Sequence, residues 1–261
     1  VVHPSDSLES RDPRFVSATM PMARAFVRAY VRLQVDGIGN IPRSPTIFAG
    51  NHNSGITGAD VLCTLSTLWD ALGADAPLYA LAHDFVMRQV PLAAPLLRRF
   101  GAVRASSANA ERILERGGSF LVYPGGVLDA FRHAHRRDEV VLGRRSGFIR
   151  VAARTGAPIV PIVAQGAHRS AYVFHEGEGI ARRLGLPKRA RVELFPLAFA
   201  LPWGIAAGPW LPYLPLPFSI RLRILPPEHI RATEDVDAAR ERIRVRMQEA
   251  LVALARVEAR E

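Results

Sequence analysis

The run Thr46-Ile47-Phe48-Ala49, followed by Gly50-Asn51-His52-Asn53-Ser54-Gly55-Ile56-Thr57-Gly58-Ala59-Asp60, constrains this chain more than any other stretch. The first four residues are a short apolar run and predict a buried strand. Val61, Leu62, Leu65, Leu68 and Trp69 then recur at the spacing of a helix. Strand, small-residue turn and helix in that order form the unit of α/β sheets, which carry their chemistry at strand carboxyl ends. His52 falls at that point. Gly55 and Gly58 let backbone approach a ligand closely. An imidazole there acts as a general base when a carboxylate holds its other nitrogen, and Asp60 is the only acid nearby. In a purely structural role the same histidine would cap the helix or bond a carbonyl.

Length and charge narrow the possibilities. A chain of 261 residues with 49% hydrophobic and 22% charged residues is globular and long enough for one large domain. Cys63 is the only cysteine, which excludes a disulfide framework and fits a reducing compartment. No charged-then-apolar signal segment is visible. The formal charge of +10 is almost all arginine, because Lys188 is the sole lysine. A Schiff-base mechanism and a lysine phosphate loop are therefore disfavoured. Such a balance implies an anionic partner, unless it reflects a GC-rich coding sequence.

In chain order, residues 1–14 are polar and read as a flexible tail. Residues 15–33 have helical periodicity, broken near Pro21, and Arg24, Arg28 and Arg32 recur every four residues as a basic stripe. Strands are predicted at 77–81, 101–104, 119–123, 158–164 and 218–224. Helices are predicted at 85–100, at 107–115 with Ser107 or Asn109 as cap, and at 146–154, with an amphipathic closing helix over 235–257. This alternation predicts a single α/β domain, a mixed and mostly parallel sheet with helices on both faces, its core spanning 44–228. Residues 194–220 carry no charge and are long enough to cross a bilayer as a helix. Six prolines forbid that helix, so the segment is buried in protein or lies at an interface, where Trp203, Trp210 and Tyr213 suit the headgroup level.

Taken together, the strand-end histidine, the strand-end Tyr123-Pro124-Gly125-Gly126 and the uncharged segment resemble the glycerolipid/lysophospholipid acyltransferase family, in its diacylglycerol acyltransferase-like actinobacterial branch. Arg11-Asp12-Pro13-Arg14-Phe15, Gly143 to Arg154, and Gly156-Ala157-Pro158-Ile159-Val160-Pro161 also carry the resemblance, which covers roughly 11–228. The family's histidine is followed by an aspartate, usually five residues on. Here that place holds Thr57, and the nearest acid is Asp60. Eight residues of straight helix would rise about 12 Å. Asp60 can serve only if the Gly55–Gly58 segment loops back; Thr57 or a backbone carbonyl are the alternatives. Many relatives place an arginine two residues after the second glycine's position for an acceptor phosphate. This chain has Leu128 there instead.

The resemblance implies acyl transfer from a thioester, acyl-CoA or acyl carrier protein, to the hydroxyl of a lipid such as a lysophospholipid, with His52 as base and Asp60 as its partner. Diacylglycerol or another lipid alcohol is the alternative acceptor, and a non-catalytic lipid-binding relative the alternative function. Backbone N–H groups at Gly125 and Gly126 would hold the oxyanion. Arg104, Arg132, Arg144 and Arg145 would meet substrate or donor phosphates, with Arg145 the best match to a family arginine. Trp203, Trp210 and Tyr213 would meet the acyl chain or membrane. No cofactor or metal is expected, since His133-Ala134-His135 lacks a completing ligand set. Nor is a nucleic-acid role, because the aromatics lie in apolar runs. The expected location is the cytoplasmic face of the cell membrane, held peripherally on anionic lipid by the basic stripe and the uncharged segment.

Overall fold

The structure, a computed structural model, describes residues 6–83, 87, 93–143, 145–170, 172–190, 193–200, 204–208 and 218–258. In chain order these comprise helix α1 (Pro13–Ala29), strands β1 (Gln34–Asp36) and β2 (Ile47–Gly50), helix α2 (Ala59–Leu72) and strand β3 (Leu78–Ala82). Helix α3 (Ala93–Arg99), β4 (Ala102–Arg104), α4 (Ser107–Glu115), β5 (Ser119–Val122) and the one-turn α5 (Val127–Ala130) follow. Next come α6 (Gly147–Thr155), β6 (Ile159–Gln165), β7 (Tyr172–His175), α7 (Glu178–Arg183) and α8 (Leu186–Ala190). The described chain closes with β8 (Leu197–Ala200), β9 (Gly204–Ala207), β10 (Arg221–Ile224) and α9 (Val236–Glu258).

Seven strands form one sheet in the order β1-β10-β6-β2-β5-β3-β4. From β6 to β4 every pairing is parallel; β10 runs antiparallel to β6 and parallel to β1. β2 lies between β6 and β5, so the carboxyl ends of three neighbouring strands point to one place. Because alternate residues face opposite sides, Ile47 and Ala49 pack with Phe120, Ile159 and Val163 beneath α4, α6 and α9. Phe48 packs with Leu121, Val160 and Ile162 beneath α1 and α2 on the other side. The predicted mixed, mostly parallel sheet covered on both faces is the one observed.

Several local expectations change. Residues 6–12 are not a free tail. Leu8 is buried in the core, and Asp6 accepts both arms of Arg104 at 2.8 Å each and the Asn109 amide at 2.7 Å. Asp12 caps α1 by accepting the Phe15 N–H at 3.0 Å and also takes Arg99 at 2.8 Å. Residues 1–5 of the expected tail lie outside the described residues. α1 runs through Pro21 unbroken, the proline sitting at an exposed position where its missing hydrogen bond costs least. The helix ends at Ala29, so Arg32 lies beyond it, while Arg24 is tied to Asp70 at 2.6 Å. The stripe is thereby broken. The cap of α4 is Ser106, which accepts the Asn109 N–H at 3.1 Å, and neither Ser107 nor Asn109.

Within 194–220 the described part includes two strands, β8 and β9, which join β7 in a second, three-stranded antiparallel sheet. No helix among the described residues is long and apolar enough to cross a membrane.

Asp6 supplies the sharpest check on the docked amino-terminal segment. Its side chain is only 11% exposed against Arg104. Asp6→Ala should lower unfolding stability by about 1–3 kcal/mol, the scale of losing charged hydrogen bonds that leave a partner unpaired. Urea denaturation reads this, and a freely moving tail would give no change.

Candidate active site

The site begins where β2 runs out. Asn51 continues the strand's contact with β6 through its side chain, donating to the Ala164 carbonyl at 3.0 Å and accepting the Ala164 N–H at 2.7 Å. Asn53 donates to the same carbonyl at 2.9 Å. Between these two anchored asparagines, His52 turns away from the sheet. Its ring lies 4.9 Å from that of Tyr123, at the end of β5. That closeness needs a glycine at position 50, because a Cβ there would stand 2.5 Å from the Tyr123 ring.

The segment after His52 loops as the Asp60 pairing requires. A single 3-10 turn over Gly55–Thr57 ends at Gly58, whose φ of 58° is left-handed and suits glycine. α2 then starts at Ala59. His52 Nδ1 lies 2.7 Å from Asp60 Oδ2, and Nε2 has no hydrogen-bond partner among the described residues. The carboxylate thus selects the tautomer with its proton on Nδ1, leaving the Nε2 lone pair free to accept. Thr57 is not the partner. Its hydroxyl donates to the Ser54 carbonyl at 2.7 Å, and its oxygen lies 3.3 Å from Ser170 Oγ.

Asp60 is fully buried and its oxygens are saturated. Oδ2 also accepts the Asn53 N–H at 2.7 Å; Oδ1 accepts the Val61 N–H at 2.8 Å and a short bond from the Ser54 hydroxyl. Burial pushes this carboxyl up, but His52, the Ser54 hydroxyl and the Asn53 N–H outweigh it, and the net shift is downward. The amino end of α2 favours the anion as well. For His52, burial lowers the pKa, but the charge and hydrogen bond of Asp60, with Asp129 behind, carry it above its ordinary 6.5.

Asp129 is a second buried carboxylate that the sequence reading passed over. It accepts the His52 N–H at 2.5 Å, the Val141 N–H at 3.2 Å and Arg132 Nη1 at 2.6 Å. Burial lifts its pKa to about 6 against the pull of Arg132 and the His52 N–H. Arg132, expected to meet phosphate, is instead structural: its side chain is 2% exposed and bonds the carbonyls of His52, Asp129, Arg136 and Arg137. Arg104 is likewise committed to Asp6. The signal for Asp129 was legible in hindsight, as an acid three residues before an arginine among Val127, Leu128, Ala130 and Phe131.

At the Pro-Gly-Gly turn the Gly126 N–H is spent on the Tyr123 carbonyl at 3.1 Å, so it cannot hold an oxyanion as expected. The Gly125 N–H has no partner among the described residues. A Cβ on Gly126 would stand 2.0 Å from Arg145 Nη1, so the exposed Arg145 guanidinium lies directly against this turn. It has no hydrogen-bond or ion-pair partner among the described residues. Arg144, Trp203, Trp210 and Tyr213 lie outside the described residues. Another unforeseen residue is His168, on the 3-10 turn Ala167–Ser170: both ring nitrogens are buried without a partner among the described residues. Burial, ahead of Arg137, Arg169 and Arg132, pushes its pKa down to about 3. Among the described residues no group of three metal-ligating side chains comes together.

The family model described as Acyltransferase matches residues 32–165, just over half the chain, from β1 through the end of β6. The chain belongs to the acyltransferase family. Among its relatives, a Mycobacterium tuberculosis protein titled uncharacterised is 32% identical over 205 residues, covering 76% of this chain and 57% of the relative. Human diacylglycerol O-acyltransferase 2 is 26% identical over 58% of this chain and 41% of its own length. Diacylglycerol O-acyltransferase 2A of Umbelopsis ramanniana is 32% identical over 45% of this chain and 34% of its own. The chain thus spans from about a third to just over half of the length of these relatives. Its fold is that of the Thermotoga maritima 1-acyl-sn-glycerophosphate acyltransferase PlsC, with a TM-score of 0.57 over 93% of this chain and 81% of the other, at 17% identity.

For this acyltransferase domain the His52–Asp60 coupling has a direct spectroscopic consequence. The His52 imidazole should titrate above 6.5 by NMR. Asp60→Asn removes the anion and leaves burial opposed mainly by Asp129, so the same resonance should then titrate below its wild-type value. An unchanged titration would mean that the pair is not coupled in solution.

Proposed function

We propose that the chain transfers an acyl group from a thioester to the hydroxyl of a lipid. The observation that carries this reading is the His52–Asp60 pair, with Nε2 free at the carboxyl end of β2, in a member of the acyltransferase family. The acceptor hydroxyl gives its proton to His52 Nε2 as its oxygen forms a bond to the thioester carbonyl carbon. Asp60 stabilises the resulting imidazolium. The carbonyl oxygen becomes an oxyanion beside the Gly125 N–H, then re-forms the carbonyl as the carbon–sulfur bond breaks. His52 returns the proton to the departing thiolate. No covalent enzyme intermediate is needed.

For the donor we propose acyl-CoA, or an acyl carrier protein as the alternative. Of the three described arginines among those named from the sequence, Arg145 is the one that is exposed, unpaired among the described residues and set against the Pro-Gly-Gly turn. It suits a phosphate of the donor. For the acceptor we propose a glycerolipid hydroxyl. The burial of Arg132 and the pairing of Arg104 take two of those arginines away from a second phosphate, which favours an acceptor like the diacylglycerol in the relatives' names over a lysophospholipid.

Release of free thiol from acyl-CoA, measured across a panel of lipid alcohols, tests the reading. His52→Ala should cut turnover by roughly 10²-fold or more while leaving the fold intact, the usual scale for a general base. Asp60→Asn should be nearly as severe and Thr57→Val mild. Because only neutral imidazole accepts the proton, the rate should rise with pH along a limb whose midpoint lies above 6.5. Folded His52→Ala protein with near-normal transfer would sink the mechanism.

Arg145 gives an independent check. Losing one charge-assisted contact costs about 1.5–3 kcal/mol, so Arg145→Ala should raise the apparent constant for acyl-CoA roughly ten- to a hundredfold and spare that of the acceptor. Arg145→Lys should recover only part, since the planar fork is lost. With both substrates varied, a defect confined to the acceptor would reassign Arg145 to the acceptor's headgroup.

A further inference from the structure

The second sheet presents a face that nothing in the fold explains. In the register of β7, β8 and β9, Tyr172 pairs with Phe199, and Phe199 with Ile205. These three side chains form one row across all three strands, and they are 52%, 47% and 70% exposed. Phe174, at the irregularity where the β7 register shifts between Val173 and His175, is also exposed beside the row. The alternate row, Val173, Ala198 and Ala206, is the buried one. The sheet is thus two-sided in an unusual way. Its inner face is made of small residues, and its solvent face carries the large aromatic and branched ones, the reverse of the usual alternation.

The surroundings indicate what covers it. By sequence the connection from β7 to β8 carries five basic residues, Arg182, Arg183, Lys188, Arg189 and Arg191, against three acids, Glu176, Glu178 and Glu193, and it adds the exposed Leu184. Its two ends meet where the Phe195 N–H donates to the Glu176 carbonyl at 3.1 Å, so this basic, partly apolar connection sits at one edge of the row. The sheet is also fastened to the histidine turn from two sides. Before β7, Ser170 Oγ donates to the Ser54 carbonyl at 3.3 Å. After β7, the Glu176 carboxylate accepts the His133 N–H at 2.8 Å, one residue beyond the arginine that bonds the His52 carbonyl at 3.0 Å. The exposed row therefore stands at the same end of the main sheet as His52.

We propose that the row Tyr172, Phe199 and Ile205 is the surface by which this domain docks on an anionic lipid bilayer. The proposal rests on the lipid-acylation reading, which it deepens by naming the face that meets the lipid. Apolar side chains flanked by arginine and lysine match the two layers of a bilayer surface, acyl region and anionic headgroups. Lipid is the occupant favoured over a second copy of the chain, because a twofold contact through this face would bring two basic connections together. Docking here brings the acceptor to the strand ends without a spanning helix.

The test uses the whole chain and vesicles of anionic phospholipid. Cys63 is fully buried, so an environment-sensitive dye on Ile205→Cys reports that position alone. Met22→Cys, on the exposed side of α1 (Met22 is 72% exposed), serves as the rival face. The dye at 205 should shift to the blue with vesicles and be quenched by a bilayer-embedded quencher, while the dye at 22 stays aqueous. Phe199→Ser with Ile205→Ser should weaken vesicle binding roughly tenfold or more and leave turnover of a short-chain, water-soluble acceptor unchanged. No vesicle binding, a dye at 205 that stays aqueous, immersion at 22 instead, or a shift that depends on protein concentration without lipid would each overturn the proposal. Immersion at 205 with no acyl transfer to any acceptor would uphold this face and sink the catalytic reading. Transfer with 205 in water would do the reverse.

Discussion

Two carboxylates, Asp60 and Asp129, are buried to full exclusion of solvent on either side of His52, and the local structure follows from what they require. A buried charge costs several kcal/mol unless its lone pairs are met. Asp60 meets this demand with a histidine, a hydroxyl and two backbone N–H groups from one turn. Asp129 meets it across three segments: the His52 N–H after β2, the Val141 N–H and the Arg132 guanidinium. Arg132 then returns to the His52 carbonyl at 3.0 Å. The backbone of one residue is thus held at both its N–H and its C=O, and its side chain at Nδ1. Little freedom is left to the ring except the orientation that leaves Nε2 open.

The main sheet makes this affordable. β2, between β6 and β5, is the strand whose end has neighbours on both sides, so its turn can be braced from both. From β6 comes the Ala164 backbone, clamped by Asn51 and Asn53. From β5 come Tyr123, against the imidazole, and the Pro-Gly-Gly turn leading to Asp129. Gly125 is packed tightly there, since a Cβ would fall 1.9 Å from the Val141 carbonyl oxygen and 2.4 Å from the Asp129 Cβ. Its role is close approach of two backbones as much as any role of its N–H.

What was legible in the sequence was whatever depends on local periodicity. The buried runs at 47–50, 119–122 and 159–165 and the helix after His52 each announce themselves by spacing, and the sheet class follows from their alternation. Tertiary partners were not legible. Residues 6–12 look polar in sequence, but Asp6 is buried because Arg104, Asn109 and Arg112 from distant segments converge on it. Arg132 looks like one more cation in a basic run, and only the fold shows that Asp129, three residues back, takes it out of solution. β7 was missed because Tyr172, Phe174 and His175 are all exposed and only Val173 is buried, with the register shifting between Val173 and His175, so the strand has almost no alternating, core-facing signal. The pairing of His52 with Asp60 was anticipated because an imidazole at a strand end calls for a carboxylate and Asp60 is the only acid nearby. Their contact could be anticipated only on condition that the intervening glycines loop.

That condition shows what this turn gains. A straight helix from His52 to Asp60 would separate them by about 12 Å; the 3-10 turn and the left-handed Gly58 bring Nδ1 and Oδ2 to 2.7 Å. The extra residues do more than close the distance. They bring the Ser54 hydroxyl and the Asn53 N–H onto Asp60. They also carry Ser54 and Thr57 out to Ser170, on the segment that leads into the second sheet. Chain geometry thus ties the carboxylate that orients His52, through one serine and one threonine, to the element bearing the exposed aromatic row. A displacement of that element would have to break these hydrogen bonds or carry Ser54, and with it Asp60, along. The spacing between histidine and aspartate is therefore free to vary. What the pairing constrains is the contact of one ring nitrogen with one buried oxygen, and the turn that makes it also couples His52 to the element bearing the exposed aromatic row.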